Sequence, residues 1–172
     1  SASLLQVARQ ESALNQVIRP APQGFSVVPM GAPATAAEAR RLGNTFDVLA
    51  LQSGIVIVDA ELGPDGDFPL ASMSDSEIVV QVSTSAASIT NAYSLVKRLS
   101  QQLGRRPFGI LVTGATEAEA KVVYDNMSAA ATRYLAVKLS FMGSVPADEY
   151  LHRAASLGRS VVDAFPLAGA SV

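Results

Sequence analysis

The sequence contains no cysteine, and this absence excludes three kinds of chemistry at once. Disulfide frameworks, thiolate metal sites and a cysteine nucleophile all require that residue. With a single histidine, His152, the chain also lacks the imidazole cluster of a typical zinc site. A chain without cysteine suits a reducing compartment, so we expect a cytoplasmic location.

Charge and long apolar runs are also scarce. Charged residues make up 16% of the chain and the formal net charge is −2, so we expect no basic face for nucleic acid and no nucleic-acid partner. Mean hydropathy is +0.27, yet no window approaches the ~18 uninterrupted apolar residues of a membrane span. The sequence also contains no GxxxxGK[ST] phosphate-binding loop.

The length of 172 residues fits one compact domain over residues 1–172. Five short apolar runs bounded by turn residues predict strands at residues 25–29, 55–59, 77–82, 108–113 and 139–143. Their alternation with helical segments predicts an α/β fold with a mostly parallel sheet of about five strands. Because several runs are almost continuously β-branched, we expect helices on both faces of the sheet.

The predicted helices lie at residues 1–18, as one interrupted helix or two short ones, and at 35–51, 88–103 and 117–137. Thr35 is expected to cap the second of these segments, with Glu38 completing a capping box. Ser88 or Thr90 is expected to cap the third. In the last segment the apolar positions repeat at helical spacing. Tyr134 is one of these positions, so its side chain is expected to face the core.

Asp59 stands at the end of a predicted strand, where ligands of open parallel sheets bind. A carboxylate there can hold the hydration shell of Mg²⁺ or accept a phosphoryl group, and Gly63 nearby would let the backbone approach a phosphate. A structural or turn-forming role fits the same position of Asp59. The hydroxyls of residues 83–88 suit either helix capping or an anion at a helix N-terminus. His152 has no partner at a recognisable catalytic spacing, so we expect an exposed helix residue.

The order of several motifs resembles the MinD/ParA class of deviant-Walker ATPases, and within it the flagellar-number regulators of the FlhG or FleN type. The segments that carry the resemblance are residues 59–63 (DAELG), 83–97 (STSAASITNAYSLVK), 143–148 (GSVPAD) and 159–166 (RSVVDAFP). The resemblance covers essentially the whole chain and implies a P-loop NTPase-like, three-layer αβα architecture without the P-loop unit.

The resemblance also implies roles for particular residues. Asp59 would be the Walker B carboxylate that orients Mg²⁺ and water, and Gly63 the switch glycine that senses the γ-phosphate. The other nucleotide-binding positions would be Thr113 and Gly114, in place of an Asn-Arg pair whose Asn reads adenine, and Pro146 and Asp148, in the loop that closes over the base and ribose.

Two departures from the family limit what this chain is expected to do. The phosphate loop carries the lysine and the Mg²⁺-binding hydroxyl, and without them phosphoryl transfer loses most of its charge stabilisation. Thr113 stands where the family has the adenine-reading Asn. ATP and Mg²⁺ are the family's cofactors, but we expect weak or no nucleotide binding and no ATP hydrolysis by this chain alone. It is expected to be a fragment cut after the P-loop unit or a degenerate relative.

Three functions are compatible with these residues. The first is a MinD-like regulatory module that acts on flagellar number or placement through flagellar proteins or a second copy of itself, with membrane contact only peripheral in the family. The second is a non-catalytic protein-interaction module on the same scaffold. The third is a receiver domain with Asp59 as phosphoacceptor, Thr84 as switch hydroxyl and Lys138 as the conserved lysine, although residues 25–30 lack the acidic pair that receivers need.

Overall fold

The computed structural model describes residues 2–59, 73 and 75–147. The chain divides into two compact units, residues 1–76 and 77–172. One domain over residues 1–172 stays a prediction.

The first unit is mainly helical. Its elements are α1 (Leu4–Ala8), α2 (Leu14–Val17), β1 (Arg19–Pro20), β2 (Ser26–Val27) and α3 (Ala36–Leu51). The interrupted helix predicted at the start of the chain is therefore two short helices. The strands β1 and β2 form a small antiparallel ladder in which Arg19 pairs with Val27.

Apolar residues of α1 and α3 form the core of this unit. Leu4, Leu5, Leu42 and Met73 are buried together. The first N–H groups of a helix lack partners within the helix. Here Leu4 N–H donates to the carbonyl of Pro29 at 2.7 Å, and Leu5 N–H donates to that of Met30 at 3.0 Å. The segment before α3 thereby satisfies the start of α1.

The start of α3 confirms the predicted cap. Thr35 Oγ1 accepts a hydrogen bond from Glu38 N–H at 3.1 Å. The carboxylate of Glu38 accepts from Ala34 N–H at 2.9 Å, whereas a capping box would have it accept from Thr35 N–H. It also accepts from Arg9 Nε at 2.9 Å. The hydrogen bond from Ala34 N–H is the largest cause of the lowered pKa of Glu38; burial opposes it, and the Arg9 guanidinium lowers the pKa further.

Two of the predicted strands differ in the structure. Residues 55–59 form no strand, and Ile55 and Ile57 are about nine-tenths exposed, at 87% and 91%. In the run at residues 25–29, only Ser26–Val27 pairs, with β1. A strand needs a neighbour to satisfy its backbone, and none of the described residues pairs with residues 55–59.

The second unit is a parallel βαβαβ arrangement. Its elements are β3 (Val79–Ser83), α4 (Ala86–Leu103), β4 (Phe108–Thr113), α5 (Glu117–Ala130), a π-helical turn (Ala131–Leu135) and β5 (Leu139–Val145). The three strands lie in the order β3-β4-β5 and both pairs are parallel. The predicted α/β class is confirmed, but in the described residues the parallel sheet has three strands, not about five.

The helices of this unit cover one face of the sheet. Both crossovers step in the same direction, so right-handed connections place α4 and α5 on the same side. Val80 and Val82 are buried and alternate with more exposed residues along β3, and in β4 the more exposed Leu111 separates the buried Ile110 and Val112. The expected second helical layer does not occur among the described residues of this unit: on the other face Val79 is 43% exposed.

The π-helical turn explains why one predicted core residue is exposed. Tyr134 continues the apolar pattern of α5, yet 68% of it is exposed. A π-helical turn closes i→i+5 hydrogen bonds, and so it rotates the following residues away from the α-helical face. Ala136, directly after this turn, has the left-handed conformation with φ 52°. The helical period therefore predicts burial correctly at Ala131 and wrongly at Tyr134.

Candidate functional site

The parallel register of the second unit brings the carboxyl ends of three strands to one edge. Ser83 is opposite Thr113, and Thr113 is opposite Val145. Gly114 and Pro146 follow directly and are exposed, while Thr113 is half-buried. Three of the predicted nucleotide-binding positions therefore lie at the same edge of the sheet.

The connection from β3 to α4 is held by serine hydroxyls. Ser83 N–H donates to Ser88 Oγ at 2.9 Å, and Ser88 N–H donates to Ser85 Oγ at 3.2 Å. Ser85, rather than the predicted Ser88 or Thr90, is thus the N-cap of α4. The hydroxyls bond to local backbone N–H groups, which is the capping interpretation of this segment.

The connection from β4 to α5 contains a capping box. Gly114 has φ +66°, a conformation that glycine adopts at little cost. Thr116 Oγ1 accepts from Glu119 N–H at 3.3 Å, and the Glu119 carboxylate accepts from Thr116 N–H at 2.9 Å. The sequence Thr-Glu-Ala-Glu at residues 116–119 carries the usual signature of this motif, so pattern reasoning could have found it.

The two helix N-termini at this edge differ in charge. The first turn of α5 carries Glu117 and Glu119, whereas the first turn of α4 carries no acidic residue. Carboxylates at a helix N-terminus offset the partial positive charge of the helix dipole and repel a further anion. An anionic ligand at this edge would therefore be better tolerated beside α4 than beside α5.

Of the remaining predicted site residues, the structure describes only Asp59. Asp59 is an exposed residue of the first unit and belongs to no strand. Gly63, Asp148 and His152 lie outside the described residues.

The pair that the receiver interpretation requires is not brought together. Thr84 follows the carboxyl end of β3, but Lys138 precedes the amino end of β5. Since a strand rises about 3.3 Å per residue, the length of the sheet separates them.

The described residues do not fit a Mg²⁺-bound triphosphate. In residues 2–59, 73 and 75–147, no group of three His, Asp or Glu side chains comes together as a metal site. The carboxyl edge offers the hydroxyls of Ser83 and Thr113, but its charged groups are the carboxylates of Glu117 and Glu119. Charge stabilisation of a triphosphate needs cationic groups at such an edge.

The second unit is thus a parallel α/β sheet of the kind that binds ligands at its carboxyl edge. No protein-family model matches the chain. It is similar to the antiactivator FleN of Pseudomonas aeruginosa, with 27% identity over 130 residues that make up 75% of this chain and 46% of FleN. The chain spans about half the length of this curated relative. This similarity supports the resemblance of the chain to the MinD/ParA-type ATPases over part of their length.

One finding bears on membranes. Among the helices in the described part of the chain, none has both the length and the apolar character that crossing a bilayer requires.

Proposed function

We propose that the chain is a MinD-like regulatory module that controls flagellar number or placement through contacts with other proteins, with nucleotide binding weak or absent. The similarity to an antiactivator over 130 residues is the observation that carries this proposal. A protein that opposes an activator has a protein target, and the sheet of the second unit is a rigid scaffold for such a contact.

The residues at the carboxyl edge support the proposal of weak nucleotide binding. An asparagine amide offers adenine both a donor and an acceptor in fixed geometry, while the Thr113 hydroxyl offers a single oxygen. Glu117 and Glu119 add negative charge where a phosphate chain would lie. Isothermal calorimetry with Mg·ATP should therefore show no saturable heat, and micromolar binding would contradict this part of the proposal. Thr113→Asn is the matched variant, because a gain of binding confined to it would identify Thr113 as the weakening residue.

The regulatory role can be tested in cells. We expect that expression of the chain in Pseudomonas aeruginosa that retains FleN changes the number of flagella per cell, counted by electron microscopy, because the chain competes for the same contacts. Ile110→Asp is the negative control, since it places a carboxylate at a position with 0% exposure in the sheet. An unchanged count at matched expression would argue against the proposal.

A non-catalytic interaction module without any nucleotide-dependent step is the second candidate. The acidic residues at the start of α5 favour it, because their carboxylates repel a phosphate chain at the described carboxyl edge. Micromolar ATP binding would exclude this candidate. The receiver interpretation is disfavoured by the opposite edges on which Thr84 and Lys138 lie. A mass shift on Asp59 after incubation with acetyl phosphate would restore it.

A further inference from the structure

The end of α5 presents an aromatic side chain that a regular helix would bury. Met127 and Ala131 are buried, and position 134 would follow them on the same helical face. The π-helical turn instead leaves Tyr134 68% exposed. Ala136, directly after the turn, has φ 52°, which is uncommon for a residue other than glycine. Both kinds of backbone irregularity are enriched at functional sites, so this surface is a candidate for a contact.

Arg133 orders the ring of Tyr134 from one side. Its guanidinium carbon lies 5.3 Å from the ring centroid, within the range of a cation–π interaction. Both residues are exposed. A partner that packs on an ordered ring loses less conformational entropy than one that must immobilise it. Tyrosine and arginine are also enriched among the residues that dominate the energy of protein interfaces. This pair is therefore suited to anchor another protein.

Two further cations lie at the same end of the second unit. Both helices run from the carboxyl edge of the sheet to its amino edge, and α4 contacts the π-helical turn. Arg105 is exposed in the loop that leads from α4 into β4. Lys138 is exposed directly before β5, and its carbonyl accepts a hydrogen bond from Phe108 N–H at 3.3 Å. Arg105, Arg133 and Lys138 therefore share the amino edge.

The carboxylates of residues 77–147 lie away from these cations. This part of the chain contains only four acidic residues. Glu117 and Glu119 are at the opposite, carboxyl edge, and Asp125 pairs with Lys121. Glu77 precedes β3, which β4 separates from β5. Among residues 77–147, the amino ends of β4 and β5 therefore carry a local positive charge, although the net charge of the whole chain is −2.

We propose that the Tyr134 surface, formed by Arg105, Arg133, Tyr134 and Lys138, binds an acidic segment of a partner protein. Carboxylates of the segment would pair with the three cations, and an apolar side chain between them would pack on the ring of Tyr134. The inference rests on the proposed role of the chain as a protein-binding regulator and names the chemistry of its partner. Nucleic acid and an anionic bilayer fit less well, because three cations neutralise few phosphates and supply little of the attraction that stable membrane attachment requires.

A binding experiment with defined peptides tests the proposal. The probe is a fluorescein-labelled peptide with a Leu-Pro centre flanked on both sides by Asp and Glu. One comparison peptide replaces every Asp with Asn and every Glu with Gln, which removes the charge and keeps the shape. Another replaces the Leu-Pro centre with Gly-Gly. By fluorescence anisotropy we expect the probe to bind the 172-residue chain at least about tenfold more tightly than either comparison peptide.

Variants locate the contact. Lys138→Glu and Tyr134→Ser should each weaken binding of the probe by about tenfold, which corresponds to one substantial contact. Tyr134→Phe should bind like the unaltered chain, because it keeps the ring. Lys121→Glu is the matched control, since it makes the same charge change at an exposed position near the start of α5, toward the carboxyl edge. It should leave the affinity unchanged. Thermal unfolding of each variant shows whether a loss of binding is a loss of folding.

Several outcomes would overturn the proposal. They are equal binding of the probe by Lys138→Glu and the unaltered chain, an equal loss in Lys121→Glu, and equally tight binding of the amide peptide, of a DNA duplex or of phosphatidylglycerol vesicles. Should Tyr134→Ser fail to fold, the surface substitution Lys138→Glu still decides. Failure here with a changed flagellar count would leave the proposed function standing and move its contact elsewhere. Peptide binding without any effect on flagella would overturn the proposed function alone.

Discussion

A Cβ atom on Gly109 would lie 2.7 Å from Cγ of Met142, so these two residues compete for one space beside the sheet. We therefore expect Gly109→Ala to lower the free energy of unfolding by about 1 kcal/mol, because Met142 must leave its position. Urea denaturation measures this change. The loss should shrink when the same substitution is made in a Met142→Ala background, where the space is free.

A second glycine gives the control for this prediction. Gly43 lies within α3 and has no atom within 4 Å of its Cβ position. Gly43→Ala should raise stability by about 0.5 to 1 kcal/mol, since alanine favours a helix interior over glycine. Equal losses from both substitutions would show that the contact with Met142 is not the cause.

Tyr124 joins α5 to the start of β5. Its hydroxyl donates to the carbonyl of Leu139 at 2.8 Å, and its ring lies 5.2 Å from that of Phe141. Tyr124→Phe keeps the ring contact but leaves the carbonyl without this donor, so we expect a loss of about 1 kcal/mol in thermal or urea unfolding. Tyr134→Phe, at a residue that is 68% exposed, should be nearly neutral. Similar losses for both variants would contradict this role of the Tyr124 hydroxyl.

The parts of the fold that the sequence predicts are those with strong local signals. Strands β3, β4 and β5 coincide with short apolar runs between helical segments, and their order follows from short right-handed connections. The cap at Thr35 is equally local, because it depends on residues three positions apart. The convergence of Thr113 and Pro146 at one edge follows from the general geometry of parallel sheets.

The parts that the sequence misses depend on distant residues. Residues 55–59 have the composition of a strand, but strand formation requires a partner that composition does not supply. Tyr134 fits the helical period, and the π-helical turn that exposes it leaves no clear mark in the sequence. The bulge at Met142 is missed for the same reason, because it exists only in the pairing of β5 with β4.

Glu38 gives the stability a pH dependence with a definite sign. Its pKa in the folded chain is below the ordinary 4.5, first because Ala34 N–H donates to the carboxylate and then because of Arg9. A lowered folded pKa makes the unfolded state bind the proton more readily, so this contribution is present above about pH 4.5 and is lost as the pH falls through the folded value. Glu38→Gln should remove it, and the stability difference from the unaltered chain should shrink below pH 4.5.

Substitution of Arg9 distinguishes the effect of the guanidinium on the pKa of Glu38 from that of the hydrogen bond from Ala34 N–H. In Arg9→Met the carboxylate of Glu38 keeps its bond from Ala34 N–H but loses the guanidinium, which lies 2.8 Å away. We expect the pH-dependent part of the stability to decrease but to persist, as measured by urea unfolding across pH 3 to 7. If Arg9→Met and Glu38→Gln abolish it equally, the backbone hydrogen bond is not the main cause.

ATP hydrolysis by the chain should not exceed that of a buffer blank. The sequence contains no phosphate-loop lysine, and the carboxyl edge of the described sheet presents Glu117 and Glu119 instead of cationic groups. Phosphate release in the presence of Mg²⁺ measures the rate, with Asp59→Asn as the matched variant because Asp59 is the position that the resemblance gives to the Walker B carboxylate. Equal background rates for both proteins are expected. A rate above background that Asp59→Asn abolishes would show that this chain carries a working catalytic carboxylate, and the proposal of weak or absent nucleotide binding would then have to be given up.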